Sequence, residues 1–272
     1  MKSILSKLRR RNVSPNLSSA FFKWISPADV KRLQEMPRHV ATTVLFKGKD
    51  IRIIDAGTFL VGLKEIFLEE PYRFLSESEF PLILDCGANI GLSTIFLKLR
   101  MPQSRIIAME ADPNICEVLK YNLNLFGYND IEVVNEAVST ENGSVCFDNR
   151  GGFAGRISAA GDKGIQVASK RLKDRLSEKI DFLKIDIEGA EVDVLLDCEP
   201  GLHNVNHLFV EYHSPVEEEQ RLDELLRVLS RAGFRYQLKT SFSSQKPFIE
   251  RKSMGGMDFQ IDIFAFRGDA LK

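Results

Sequence analysis

The 272-residue chain reads as an α/β protein with a mostly parallel sheet and helices on both faces. Two observations carry that reading. From Pro81 onward, short apolar runs alternate with stretches of helical periodicity. The first of those runs ends in a bare glycine turn, "DCGANIG" at 85–91, that opens straight into an apolar helical pattern. Composition agrees, with 44% hydrophobic and 28% charged residues, as in a globular domain with a real core.

The elements follow in order. "LILDC" is a strand, "LSTIFLKLR" a helix and "SRIIAME" a strand. "NICEVLKYNLNLFG" is a helix ending at Gly127, and "IEVVNEAV" is a single strand. Between about 139 and 179 the alternation breaks, and two β-like runs around a Gly-rich middle predict an inserted hairpin or loop. "IDFLKIDI" is then a strand, "EGAEVDVLLDC" a helix and "VNHLFVEYH" a strand. "EEEQRLDELLRVLSRAG" is an amphipathic helix closed by Gly233, and "FRYQL" and "DFQIDIFAF" end the chain as strands. Connections between parallel strands are expected to be right-handed.

Residues 1–80 read as an N-terminal α/β extension and a candidate acceptor lid, and 81–272 as the main domain. In the extension, Ser26 N-caps "SPADVKRLQEM", two β segments flank Gly48, and "TFLVGLKEIFLEEPYRFL" reads as helix up to Pro71.

The chain carries 37 basic and 38 acidic residues, which gives no general pull towards nucleic acid. The basic start, "MKSILSKLRRRN", reads as a solvated terminus, with peripheral contact to a membrane or acidic partner as the sharper alternative. No apolar run suits a signal peptide or a membrane span, so the expected location is cytoplasmic. Cys86, Cys116, Cys146 and Cys198 lack metal-site spacing and read as reduced structural thiols.

The turn at 85–91 sits where open α/β sheets bind ligands, beyond the carboxyl end of a strand. It lacks the Lys of a phosphate-binding loop, and Asn89 stands where a dinucleotide fingerprint has its second glycine. An acid beside such a turn suits a cationic ligand. S-adenosylmethionine carries a sulfonium and an ammonium, and its carboxylate can take free N–H groups at the helix start. Glu110, 19 residues after Gly91, can accept from ribose hydroxyls, and Glu136 ends the next strand where an adenine amino group would lie.

Asp186 and Glu188 follow the fourth strand and can orient a hydroxyl or, with Glu191, hold a divalent metal, although no metal is predicted. Glu191 alone reads as a helix-start acid. His213, after Glu211 and Tyr212, is the general-base candidate. His203 and His207 read as surface residues, and Trp24, Phe67 and Tyr72 as core. Two other readings are a nicotinamide-dependent oxidoreductase, which would want G-x-G-x-x-G, and a cofactor-binding protein without turnover.

Five segments resemble the FkbM family of S-adenosylmethionine-dependent methyltransferases: "DCGANIGLST", "MEADPN", "NEAVS", "DFLKIDIEGAEVDVLL" and "FVEYH". They span about 80–268, and "KIDIEGAE" is the most specific. "KEIFLEEPYRF" resembles the N-terminal segment of members from bacterial polysaccharide gene clusters. The resemblance implies a Rossmann-like sheet of about seven strands with "DFQIDIFAF" as its antiparallel last strand. It also implies O-methylation, often of a sugar hydroxyl or a secondary-metabolite hydroxyl. By position, Asp85, Gly87, Asn89 and Gly91 would line the methionine part of the cofactor, Glu110 the ribose, and Glu136 and Ala137 the adenine. One departure is Lys173 after Leu172, where the family usually has Asp; here Asp174 comes one place later.

Overall fold

The computed structural model describes residues 21–148, 156–157 and 164–268. The basic N-terminus and most of the Gly-rich middle of the insertion lie outside the described residues. The chain divides into two compact units, the first ending at Pro71 and the second beginning at Tyr72.

In the first unit, helix α1 (Pro27–Glu35) starts at Ser26, whose hydroxyl accepts the Asp29 N–H at 3.0 Å. Strands β1 (Thr42–Phe46) and β2 (Lys49–Ile53) pair antiparallel. Lys47 and Gly48 both take positive φ between them, as a two-residue hairpin turn requires. Helix α2 (Ala56–Phe67) is capped by Asp55, which accepts the Thr58 N–H at 2.8 Å. It stops four residues before Pro71, short of the sequence expectation. Glu70 takes φ 49°, because the residue before a proline is kept out of the helical region. Trp24 packs on Phe67 and Phe46, with ring centroids 4.5 and 5.9 Å away, so both expected core aromatics of this unit are core.

The second unit is built on a seven-stranded sheet. Its strands are β3 (Leu82–Cys86), β4 (Arg105–Met109), β5 (Glu132–Val134), β10 (Ile180–Ile185), β11 (Val205–Pro215), β12 (Arg235–Phe242) and β13 (Met257–Phe266). Their order is β12-β13-β11-β10-β3-β4-β5. Pairing from β5 to β11 is parallel, and β13 lies antiparallel between β11 and β12. The order reverses between β3 and β10, which places the ends of those two strands at the crevice. Both strands are buried along their whole length, which is why each reads as a continuous apolar run. Burying each of their Leu, Ile and Phe side chains contributes roughly 1.5–3 kcal/mol.

Helices α3 (Leu92–Arg100), α4 (Pro113–Leu125), α5 (Glu191–Cys198) and α6 (Leu222–Arg231) flank the sheet. Two boundaries differ from the sequence reading. The run 217–221 stays outside α6, where adjacent glutamates offer no cap and Arg221 instead donates its N–H to the Tyr212 hydroxyl at 3.0 Å. The expected single strand "IEVVNEAV" is two strands in two sheets. After β5 the chain leaves the main sheet, and β6 (Ala137–Ser139) joins β7 (Gly143–Asp148), β8 (Arg156–Ile157) and β9 (Ile165–Arg171) in a four-stranded sheet. Asn135 marks the break, its amide donating to the carbonyls of Glu110 and Ala111 at 2.8 and 3.1 Å. The expected hairpin is the antiparallel pair β7–β9. No described helix is long and apolar enough to cross a membrane.

Candidate active site

The turn after β3 is shaped by its neighbours. The N–H groups of Gly87 and Ala88 both donate to the Met109 carbonyl, at 3.0 and 2.9 Å, which ties the turn to the end of β4. Gly87, Asn89 and Gly91 all take positive φ. A Cβ at Gly91 would meet Leu119 Cδ1 at 2.8 Å, so this glycine serves the packing of α3 on α4.

Asp85 does not line the cleft beside this turn. It is fully buried, and its Oδ2 accepts the hydroxyls of Ser93 and Thr94 at 2.7 and 2.6 Å. Its Oδ1 lies 3.5 Å from Lys184 Nζ. The acid answers a cation of the protein and locks the start of α3.

Glu110 ends β4 with 7% exposure. One carboxylate oxygen accepts the Asn89 N–H and the other the Asp112 N–H, both at 2.9 Å. Burial pushes its pKa up to about 7 against the pull of those two hydrogen bonds. The cleft runs from Gly87 and Asn89 past Glu110 to Glu136 and Ala137, with Asp186 and Glu188 on its far side. Met109, Ile115, Val138 and Phe147 give it an apolar wall. The structure thus gathers seven of the residues expected at the site, and leaves Asp85, Gly91 and His213 outside the lining.

Asp186 and Glu188 sit in a loop after β10. The helix starts only at Glu191, because Glu188 (φ 58°) and Gly189 (φ 116°) are left-handed. The helix expected from Glu188 therefore begins three residues later. A non-glycine residue held in this region stores strain, which proteins tend to keep at functional sites.

Three side chains fix the loop. Lys184 is 2% exposed, and its ammonium donates to the carbonyls of Cys86 and Gly87 at 3.3 and 3.0 Å and lies 3.2 Å from Asp186 Oδ2. Burial would discharge it, but Asp186 and Asp85 more than offset that and hold its pKa well above the usual range. Glu191 is fully buried and accepts the N–H groups of Ile187 and Gly189, each at 3.1 Å. The same carboxylate lies 3.0 Å from His213 Nδ1.

His213, on β11, is 3% exposed, and its Nε2 stands 3.5 Å from Glu188 Oε2. Burial pulls the imidazole down, while Glu191, Glu188 and Glu211 together carry its pKa well above the ordinary value. Burial also pushes Glu188 up to about 7, with help from Asp186 and Glu191. Glu211 is raised well above its ordinary range by burial and then by Asp186.

Comparison with known proteins shows the family. The family model "Methyltransferase FkbM domain" matches residues 85–236, more than half of the chain, from the glycine turn through β12's first residues. The chain belongs to this family. It is 29% identical to "Methyltransferase 1" of Beauveria bassiana over 48% of this chain and 64% of that protein. It is 28% identical to "2-O-methyltransferase NoeI" of Sinorhizobium fredii over 51% of this chain and 65% of that protein. The crystal structure of Methyltransferase FkbM from Methylobacillus flagellatus aligns with a TM-score of 0.48 and 18% identity, covering 76% of this chain and 54% of that one. The chain thus spans less than two thirds of each of these relatives.

Three residues beside this cleft take roles that the sequence reading does not assign them. Lys184 sits inside a strand, and only the β3–β10 register, which sets it beside Asp85, reveals its use. Glu191 reads as a helix-start acid and is instead the buried brace of the loop. Glu211 shares a strand face with His213 two residues on, a spacing the sequence does display. Asp174 is exposed and bonds Asn142 at 2.8 Å, away from the cleft. His203 is exposed, whereas His207 is half-buried and donates its Nδ1–H to the Asp181 carbonyl, 3.0 Å away. All four cysteines are free, as expected. Tyr72 is core, packed on Phe209 with centroids 4.9 Å apart.

A broader hollow bordered by Lys173, Asp197 and Arg231 lies apart from this chemistry. Its charges are already paired, Arg231 with Glu199 at 2.7 Å and Asp197 with Arg171 at 2.5 Å. It is a solvated face.

Proposed function

We propose that the chain is an S-adenosylmethionine-dependent O-methyltransferase acting on a hydroxyl of a sugar in a glycan or its precursor. The observation that carries the reading is the cleft itself, lined by Glu110 and by the Asp186–Glu188 loop. The residues present fit the donor. A carboxylate at the end of β4, already held rigid by two backbone N–H groups, suits the paired hydroxyls of a ribose. The apolar wall of Ile115, Val138 and Phe147 suits a purine, with Glu136 beside it for an amino group. Gly87 and Asn89 leave backbone open at the other end for the methionine part.

The donor supplies an electrophilic methyl group on a sulfonium, which becomes a neutral thioether when the methyl bonds to the acceptor oxygen. The chain's own residues align that oxygen and take its proton. Glu188 is the proton acceptor in this reading, because it lines the cleft and is aimed there by its left-handed backbone. Asp186, anchored by Lys184, orients the hydroxyl. His213, held by Glu191, stands behind Glu188.

Support for the oxygen acceptor comes from the likeness to "2-O-methyltransferase NoeI". The test is transfer of labelled methyl from the donor to a panel of free and nucleotide-linked sugars. The expected result is labelled methyl ether from wild type, reduced at least about 100-fold by Glu188→Gln. Label found on nitrogen, or equal turnover by Glu188→Gln, contradicts the assignment.

A further inference from the structure

Beside the cleft, Asp186 and His213 converge with Glu211, a residue the roles above do not use. One ligand atom from each lies within 4.8 Å of the other two. No hydrogen bond or ion pair among the described residues joins the three directly. They are too far apart to bond one another and close enough to share an ion, since bonds of about 2.0–2.4 Å span about 4–4.8 Å across a cation.

The imidazole is the second observation. His213 is 3% exposed, and its Nδ1 is committed to the fully buried Glu191 at 3.0 Å. That leaves Nε2 on the cluster side, at a loose ion-pair distance of 3.5 Å from Glu188 Oε2. A carboxylate behind a histidine that offers its other nitrogen forward is the arrangement that orients histidine ligands in metal sites. Glu211 is half-buried, and its carboxylate makes no hydrogen bond or ion pair among the described residues. Asp186 gives one oxygen to Lys184 at 3.2 Å and keeps the other.

We infer that Asp186, Glu211 and His213 form a divalent-cation site at the edge of the cleft. Two carboxylates and one imidazole suit Mg²⁺ or Mn²⁺ better than a thiolate-seeking metal. Three protein ligands leave positions open, and Asp186 places them towards the cleft. The use of the site rests on the methyltransferase reading. A cation there holds an acceptor hydroxyl beside Glu188 and lowers the cost of passing its proton to that carboxylate. A vicinal diol, as sugars offer, would fill two adjacent open positions. The existence of the site stands apart from that reading.

The test is titration of the full chain with Mn²⁺, following the free-ion signal by electron paramagnetic resonance, with and without S-adenosylmethionine. The expected result is one Mn²⁺ per chain, displaced by excess Mg²⁺. Glu211→Gln should weaken it at least tenfold, with the thermal unfolding curve and the donor affinity unchanged. His213→Gln, checked for fold in the same way, should abolish it. Absence of one-to-one Mn²⁺ binding, with or without the donor, overturns the inference. So does unaltered binding by a folded Glu211→Gln. Mn²⁺ binding by a chain that fails to take the donor would leave the site standing and remove the methyltransferase reading instead.

Discussion

The carbonyl oxygen of Asp186 lies where the side chain of any residue other than glycine at position 87 would begin, 1.8 Å from the Cβ such a residue would carry. The loop that follows β3 and the loop that follows β10 therefore close on each other through bare backbone. Gly87 also takes φ 82°, which an L side chain rarely adopts. Gly87→Ala should destabilise the fold by at least about 2 kcal/mol, the sum of backbone strain and a contact that must open. Urea unfolding measures this, and an unchanged midpoint would show that the two loops do not approach.

Lys184 is the cation beneath that junction. It lies between Asp85 and Asp186 with 2% exposure. Lys184→Met keeps its bulk and leaves the buried Asp85 carboxylate without a countercharge. Stability should fall by about 3–5 kcal/mol, the usual cost of breaking a buried pair from one side. Adding Asp85→Asn should recover part of that loss. A single variant as stable as wild type would contradict the role.

Glu110 links the cleft to pH. Its pKa in the folded protein stands at about 7, against an ordinary value of 4.5. The sign follows from that rise. As pH climbs from about 4.5 to about 7, the folded protein keeps a proton that the unfolded chain gives up, so this group's contribution to stability declines over that window. Donor binding runs the other way. A ribose bound to the carboxylate favours the ionised form, so affinity should rise with pH to about 7 and then level off. Glu110→Gln should flatten the profile. Calorimetric titrations across pH 5.5–8.5 measure it, and a wild-type affinity independent of pH would contradict the assignment.

Much of this architecture is legible in the residues. The runs "LILDC" and "IDFLKI" are mostly apolar because both faces of those strands are buried, and the charges they do carry, Asp85, Asp181 and Lys184, are buried with them. "LSTIFLKLR" carries its helix limits openly, between Gly91 and Met101. What escapes is contact between segments far apart in the chain. Asp85 reads as a partner for a cationic ligand, and its partner is Lys184, brought alongside by the register of β3 and β10. The left-handed turn at Glu188 escapes for a different reason. "EGAE" has good helical propensity, and only the bonds from Ile187 and Gly189 to Glu191 hold the chain open there. The break at Asn135 is likewise set by the carbonyls of Glu110 and Ala111, which no local pattern announces.

The account turns on the cleft between Gly87 and Glu110 being a nucleoside site for a methyl donor. The most direct measurement is calorimetric titration of wild type and Glu110→Ala with S-adenosylmethionine and with its demethylated product. The account predicts micromolar binding of both compounds by wild type, weakened at least about tenfold in the folded variant. Wild-type protein that is folded and binds neither compound would contradict it.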